Sequence, residues 1–295
     1  MINLADPVSL RMKLHEIEAC WKSTHSGITA SFAYGQRQPN RTGVFENVYR
    51  GREWSQNGEP LSGQGSSIKW TPRARAALVH IIIEHDVKHI VDSPCGDLTW
   101  MRTLFPIFEA MNVSYTGVDI VRSQIESHQR VFAKPGVRDF AVVDLVQRPP
   151  PAGDLFFSRQ ALQHLNAFDA LNVMHHWSIL AHGRAKPPLL LATTYEMKRE
   201  RQQRIAENFK YKTPDKDMLF LDFGIPPFGM PPPITAFYEQ DRPEFSEQLG
   251  LWKLPLSVEA HGRVCKGTTA ERTDIHGKGK ARAAGKPSRW LHARY

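Results

Sequence analysis

The stretch HIVDSPCGDLTWM, His89 to Met101, decides the fold. Ile90 and Val91 run straight into Asp92-Ser-Pro-Cys-Gly-Asp97, and a helical pattern resumes at once. Strand, tight turn, helix is how an α/β fold builds a ligand site at the carboxyl end of a strand. The turn carries two carboxylates and a single glycine. It lacks the Gly-x-Gly-x-x-Gly that lets backbone press against a pyrophosphate.

Outward from this turn the chain alternates. Thr71-Pro72 starts a helix, with Thr as N-cap and Pro at the first position, running through ARAALVHIIIEH. After strand His89–Ser93, a helix is expected from about Leu98 to Met111. Strand Tyr115–Ile120, helix Arg122–Phe132 and strand Asp139–Asp144 follow. Beyond RPPPAG come strand Asp154–Ser158, helix Ala167–Leu180 and strand Leu189–Thr194. Such βα alternation predicts a Rossmann-like, doubly wound sheet, mostly parallel. TAFYEQ and LGLWKLPL read as two more strands, closing a seven-stranded sheet as an antiparallel hairpin.

The flanks divide the 295 residues. Residues 1–70 form an N-terminal helix (Val8 to Trp21) and a cap segment, 71–258 the ligand-binding domain, and 259–295 a basic tail. Ser23 to Trp70 is loop-rich, although Phe32, Tyr34, Phe45, Tyr49 and Trp54 favour packing. From His261 to Tyr295 nine Lys or Arg face two acids, so +7 of the net +8 lies there. The tail lacks apolar periodicity and is expected to be disordered, with an RNA- or anion-binding arm as the alternative. No apolar run is long enough for a membrane span, and MINLADPVSLRMK has no apolar signal core. Cys20, Cys95 and Cys265 are scattered without metal-type spacing, so the expectation is a cytoplasmic protein with no metal site.

The acids align with the strand ends. Asp92 and Asp97 flank the first turn, Asp119 ends the second strand and Asp144 the third. A carboxylate ending the second strand suits a ribose diol, because it accepts two hydrogen bonds from adjacent hydroxyls. One after the third can accept from an adenine amino group. Asp92 and Asp97 would repel phosphate but welcome ammonium or sulfonium. The implied ligand is adenosine with a cationic tail, a description that S-adenosyl-L-methionine fits.

These residues resemble class I S-adenosylmethionine-dependent methyltransferases, in particular a subgroup with an ordered set of motifs. The chain has SGQGS at Ser62–Ser66, Thr71, DSPCGDLTWM at Asp92–Met101, GVDI at Gly117–Ile120, SRQALQHL at Ser158–Leu165 and PFGMPPP at Pro227–Pro233. It departs at Gln160, where the subgroup carries Asp. The resemblance implies that the Asp92–Asp97 turn holds the methionyl end, with backbone amides near Cys95 and Gly96 against the cofactor. It implies Asp119 on the ribose with Ile120 against adenine, and Asp144 with the backbone of Leu145 on the adenine amino group. Ser62, Gly63, Gly65 and Ser66 would fold over the methionyl carboxylate with Trp54 and Thr71 nearby, and Ser158 and Arg159 would sit beside the sulfonium.

His164, just after the fourth strand, is the candidate base for a hydroxyl acceptor; the alternative is packing. Tyr195 and Glu196, after the fifth strand, are weaker candidates. Cys95 has no paired His or Cys nearby and reads as a small turn filler. His175-His176 reads as surface, and the stiff PFGMPPP segment as either a rigid wall of the acceptor pocket or a structural cover on the sheet, the wall being what the resemblance implies. The function that the resemblance implies is O-methylation of a sugar or other small hydroxyl-bearing acceptor. A nucleic-acid or protein methyltransferase anchored by the tail, and a decayed adenosine-binding protein, stand as alternatives.

Overall fold

The computed structural model describes residues 2–24, 40–55, 58–208 and 218–258, so the 259–295 tail and part of the loop-rich segment lie outside the described residues. In chain order the elements are β1 (Ile2–Asn3), α1 (Pro7–Thr24), α2 (Arg41–Arg50), α3 (Pro72–Glu84), β2 (His89–Asp92), α4 (Phe105–Ala110), β3 (Ser114–Asp119) and α5 (Arg122–Phe132). Then come β4 (Arg138–Val142), β5 (Leu155–Ser158), α6 (Ala167–Ile179), β6 (Leu189–Met197), α7 (Arg201–Asn208), β7 (Thr235–Asp241), β8 (Phe245–Lys253) and β9 (Ser257–Val258).

The main sheet has seven strands in the order β4-β3-β2-β5-β6-β8-β7. The first five are parallel; β8 runs antiparallel to β6, and β7 to β8. The chain winds outward from β2 through β3 to β4, then returns to lay β5 on the other side of β2. That reversal is the switch point at which such sheets open a crevice at their carboxyl edge.

Two apolar layers hold the sheet. Because side chains alternate across a strand, Ile90, Leu155, Phe157 and Leu191 face one layer, while Val91, Phe156 and Leu190 face the other. The first layer packs Leu78, Ile81 and Ile82 of α3 and Phe105 and Phe108 of α4. The second packs Ala170, Leu171, Met174 and Trp177 of α6.

Several expectations need correction. The loop-rich segment contains α2, capped by Asn40, whose side chain accepts the Gly43 N–H at 2.9 Å. Instead of one helix over Leu98–Met111, a 3₁₀ turn at Met101–Leu104 precedes α4, and Leu98 is left-handed at φ +59°. Pro106 has no N–H to donate back into the preceding turn, so the α-helix starts late. PFGMPPP does not line the cleft and serves instead as a structural cover on the sheet. Phe228 and Met230 are buried in the α6-side layer against Phe223 and Trp252, and the Pro231 carbonyl accepts the Trp252 indole N–H at 2.9 Å. His175 and His176 are half-buried rather than surface; their Nδ1 atoms pair with the carbonyls of Leu4 and Leu145. Outside the main sheet, β1 pairs with β9, Ile2 opposite Val258.

Candidate active site

A cleft opens at the switch point. Its floor is the turn after β2. The Ser93 N–H donates to the Phe157 carbonyl and the Cys95 N–H to the Val118 carbonyl, both at 2.8 Å, so the turn is tied to β5 and β3. Gly96, at φ +59°, is clamped on both faces: its N–H donates to Asp119 Oδ2 at 3.0 Å, and its carbonyl pairs with His128 Nε2 at 2.8 Å. A Cβ at Gly96 would stand 2.5 Å from Ser62 Oγ, which explains why only glycine serves here. The turn and the 62–66 segment interlock. The Ser62 N–H donates to Asp97 Oδ2 at 3.0 Å, and Ser62 Oγ accepts the Asp97 N–H at 2.8 Å.

The acids differ in state. Asp92 is buried and accepts the Tyr115 hydroxyl at 2.7 Å; loss of water pushes its carboxyl up to about 8, so at neutral pH it keeps its proton. Asp119, equally enclosed, is raised to about 6 by burial, against the pull of backbone N–H groups from Val121 and Gly96. Asp119 Oδ1 accepts the Val121 N–H and Oδ2 the Gly96 N–H, both at 3.0 Å. Asp144 stands two residues beyond β4. Its Oδ1 accepts the Val146 N–H, and its Oδ2 is held by Arg41 at 3.1 Å.

Arg41 is the residue that sequence reasoning missed. Only 2% of its side chain is exposed, and its Nη1 reaches Asp169 Oδ2 at 3.3 Å as well as lining the cleft. It fixes α2 over the opening, together with Glu46, which accepts from the Ser123 N–H and hydroxyl, and Tyr49, 2.7 Å from Ser62 Oγ. Asn40, Val44 and Val48, a cap followed by an i, i+4 apolar pair, were the signals that could have marked the helix.

At the other end the cleft is aromatic. Trp54 lies on His164 with ring centroids 4.9 Å apart, and Tyr49 meets Trp54 edge-on. Trp100, Arg159 and Gln160 complete this end. Arg159 Nε donates to both oxygens of Glu239 at 2.9 and 3.0 Å, and its Nη1 donates to the Gly65 carbonyl at 3.0 Å. Burial raises Glu239 to about 7. Gln160 Nε2 donates to Glu247 Oε1 at 2.6 Å.

Of the residues singled out in the sequence, Trp54, Ser62, Ser66, Asp92, Cys95, Gly96, Asp97, Asp119, Ile120, Asp144, Leu145, Arg159 and His164 line the cleft together. Gly63 and Gly65 shape the neighbouring loop; Ser158 is buried at the end of β5. Thr71 is buried, its hydroxyl donating to the Ser67 carbonyl at 3.1 Å, a turn-holding role. Tyr195 and Glu196 are not brought to the cleft. β6 continues to Met197, so both lie within the strand: Tyr195 is buried against Phe220 and Phe245, and Glu196 is exposed. Burial also drives the Cys95 thiol well above its ordinary value, as expected of a turn filler. Among the described residues no group of three or more His, Cys, Asp or Glu could hold a metal ion, and no helix is long and apolar enough to cross a membrane.

Topology and cleft define the class: a Rossmann-like α/β protein with a cleft where its parallel strands reverse order. No family model and no curated protein matches the chain. Among solved structures it is similar to magnesium protoporphyrin IX methyltransferase from Synechocystis PCC 6803 with bound S-adenosylhomocysteine. There the identity is 14% and the TM-score 0.46, over 72% of this chain and 97% of that one. It is similar to N-methyltransferase NodS from Bradyrhizobium japonicum WM9 (13%, TM-score 0.45, 71% and 99%). It also resembles human N-acetylserotonin methyltransferase (12%, TM-score 0.45), covering 81% of this chain and 66% of that one. At such identities the likeness is one of fold.

Proposed function

We propose that the protein is an S-adenosylmethionine-dependent methyltransferase acting on a hydroxyl of a small acceptor, a sugar first among them. The observation that carries this reading is the convergence of Asp92, Asp97, Asp119 and Asp144 on one cleft at the switch point. The donor fits the residues present. Asp119 retains acceptor sites for a ribose diol, and Ile120, Leu145 and Val146 offer apolar faces for adenine. The turn offers no glycine-rich backbone to a pyrophosphate, and the Asp97 carboxylate that lines the cleft beside it favours a cation.

When bound, the donor supplies an electrophilic methyl group on a sulfonium. The chain's own part is alignment and proton removal. An in-line displacement gains most from holding the reacting atoms in register. Trp54 and Trp100 offer flat apolar faces against which a sugar ring can lie. His164, stacked against Trp54 in the cleft lining, is the side chain assigned to take the acceptor hydroxyl's proton. Gln160 cannot take that proton at neutral pH.

Two measurements test the reading. Calorimetry should show S-adenosylmethionine or S-adenosylhomocysteine binding with a dissociation constant of about 1–10 μM. Radiolabelled methyl donor, offered with glycan, small-molecule, RNA and protein pools, should label hydroxyl-bearing small molecules. Binding of NAD without binding of the sulfonium donor would overturn the reading, and labelling confined to RNA or protein would overturn the acceptor class.

A further inference from the structure

Gln160 lines the cleft in a backbone conformation it does not favour. Its φ is +49°, in the left-handed region that residues with a side chain rarely enter. The surroundings enforce it. The Gln160 N–H donates to the Thr193 hydroxyl at 2.9 Å, which ties the residue to β6. The Gly65 segment is shaped around the side chain, since a Cβ at Gly65 would collide with Gln160 Oε1. Strain of this kind persists where neighbours over-determine a residue, and such residues cluster at ligand clamps.

An amide has two ends, and here the neighbours decide which faces where. On one side stands Glu247 of β8, 2% exposed, whose Oε1 accepts a Gln160 Nε2–H at 2.6 Å. On the other stands Arg159, whose Nη1 donates to Gln160 Oε1 at 3.4 Å. A carboxylate accepts and a guanidinium only donates, so the amide cannot turn over without setting like groups against each other on both sides. Arg159 is itself bound through Nε to both oxygens of Glu239. Two carboxylates of the terminal hairpin thereby orient one half-buried side chain in the cleft lining. Nε2 carries two N–H groups, and among the described residues Glu247 takes one of them.

We propose that the second Nε2–H of Gln160 donates to an oxygen of the acceptor, making Gln160 a specificity-determining residue and Glu247 the residue that positions it. The inference rests on the methyl-transfer reading above. A fixed N–H selects for a lone pair, such as that of a sugar hydroxyl, ring or carbonyl oxygen. It selects against an ammonium, which has protons and no lone pair. The acceptor class narrows accordingly, to neutral sugars over amino sugars.

The test reverses the pair. In Gln160→Glu/Glu247→Gln the amide and the carboxylate change places, so the charge count is kept and a hydrogen bond still joins positions 160 and 247, now donated from 247. Position 160 then offers the cleft an acceptor in place of a donor. Full-length protein is given radiolabelled S-adenosylmethionine and equal pools of neutral sugars and amino sugars at neutral pH, with thermal melting to confirm folding. Wild type should label neutral sugars in preference, and the reversed pair should lower the ratio of neutral-sugar to amino-sugar labelling by about tenfold. Gln160→Met/Glu247→Leu removes both partners without stranding either, and should lower the ratio as well. A ratio that either folded variant leaves unchanged overturns the proposal, because the pair would then only brace the hairpin. Wild type that labels both pools without preference overturns it too. Wild type that labels neither pool overturns the sugar reading on which the proposal rests.

Discussion

Asp92→Asn should make the protein more stable and worse at holding its ligand. In the unfolded chain Asp92 titrates near 3.8, whereas in the fold burial raises it to about 8. Between those values the folded state holds one more proton than the unfolded state, so stability falls as pH rises. The contribution is fully present below pH 3.8 and is lost by about pH 8. Each unit is worth about 1.4 kcal/mol, so from 3.8 to pH 7 roughly 4 kcal/mol has been withdrawn. Asparagine has the same shape, does not titrate, and can accept the Tyr115 hydroxyl that Asp92 accepts at 2.7 Å. After allowance for imperfect packing, the variant should be about 2–4 kcal/mol more stable at pH 7, raising Tm by several degrees. The decisive assay is urea unfolding at pH 5, 6, 7 and 8. The gap between variant and wild type should widen by about 1 kcal/mol per unit up to pH 7. Parallel stability curves, with no widening, would refute the assignment of a protonated Asp92. Donor affinity should drop in the same variant, since an amide cannot become an anion when a cation binds.

Asp119→Ala should weaken donor binding by about 2 kcal/mol in calorimetry, through loss of charge-assisted bonds to the ribose. In wild type the same affinity should decline below about pH 6 as Asp119 takes up its proton. Arg41→Ala should lower stability by roughly 3 kcal/mol in urea unfolding, because Asp144 and Asp169 are left facing each other without their cation. His164→Asn should cut turnover by about a hundredfold while donor affinity stays within twofold; a variant with full turnover would make His164 a packing residue.

What the sequence disclosed follows from how locally each feature is encoded. Strand cores such as Ile90-Val91 and Leu155-Phe156-Phe157 are short apolar runs between punctuating residues, so the parallel sheet was legible. Asp92, Asp97 and Asp119 were legible as cleft-lining because position at a strand end suffices to place them. Arg41 was not. Its role depends on Asp144 and Asp169, 103 and 128 residues away, and nothing near it announces burial. Glu239 and Glu247 reach Arg159 and Gln160 only because the terminal hairpin folds back beside β6. The misplacement of Tyr195 and Glu196 has the same origin. β6 is extended by pairing with β8 as far as Met197 opposite Phe245, and no local pattern foretells that length. Asp144 was placed correctly at the cleft but read as open, when most of its acceptor capacity is spent on Arg41 and Val146.

The pairing of β1 with β9 bears on the order in which the protein can be completed. Ile2 meets Val258, and the Leu4 N–H donates to the Leu256 carbonyl at 3.0 Å, so the strand pairing of the first described residues waits for the last ones. On a ribosome the strands that carry Asp92 and Asp119 emerge well before residue 258. Leu4, fully buried, then lacks the surface that covers it until translation has passed β9. Closing so long a loop comes late because its entropy is lost before any contact repays it. The half of the sheet that lines the cleft can assemble early, while the amino-terminal arm waits for the far end of its own chain to complete its pairing.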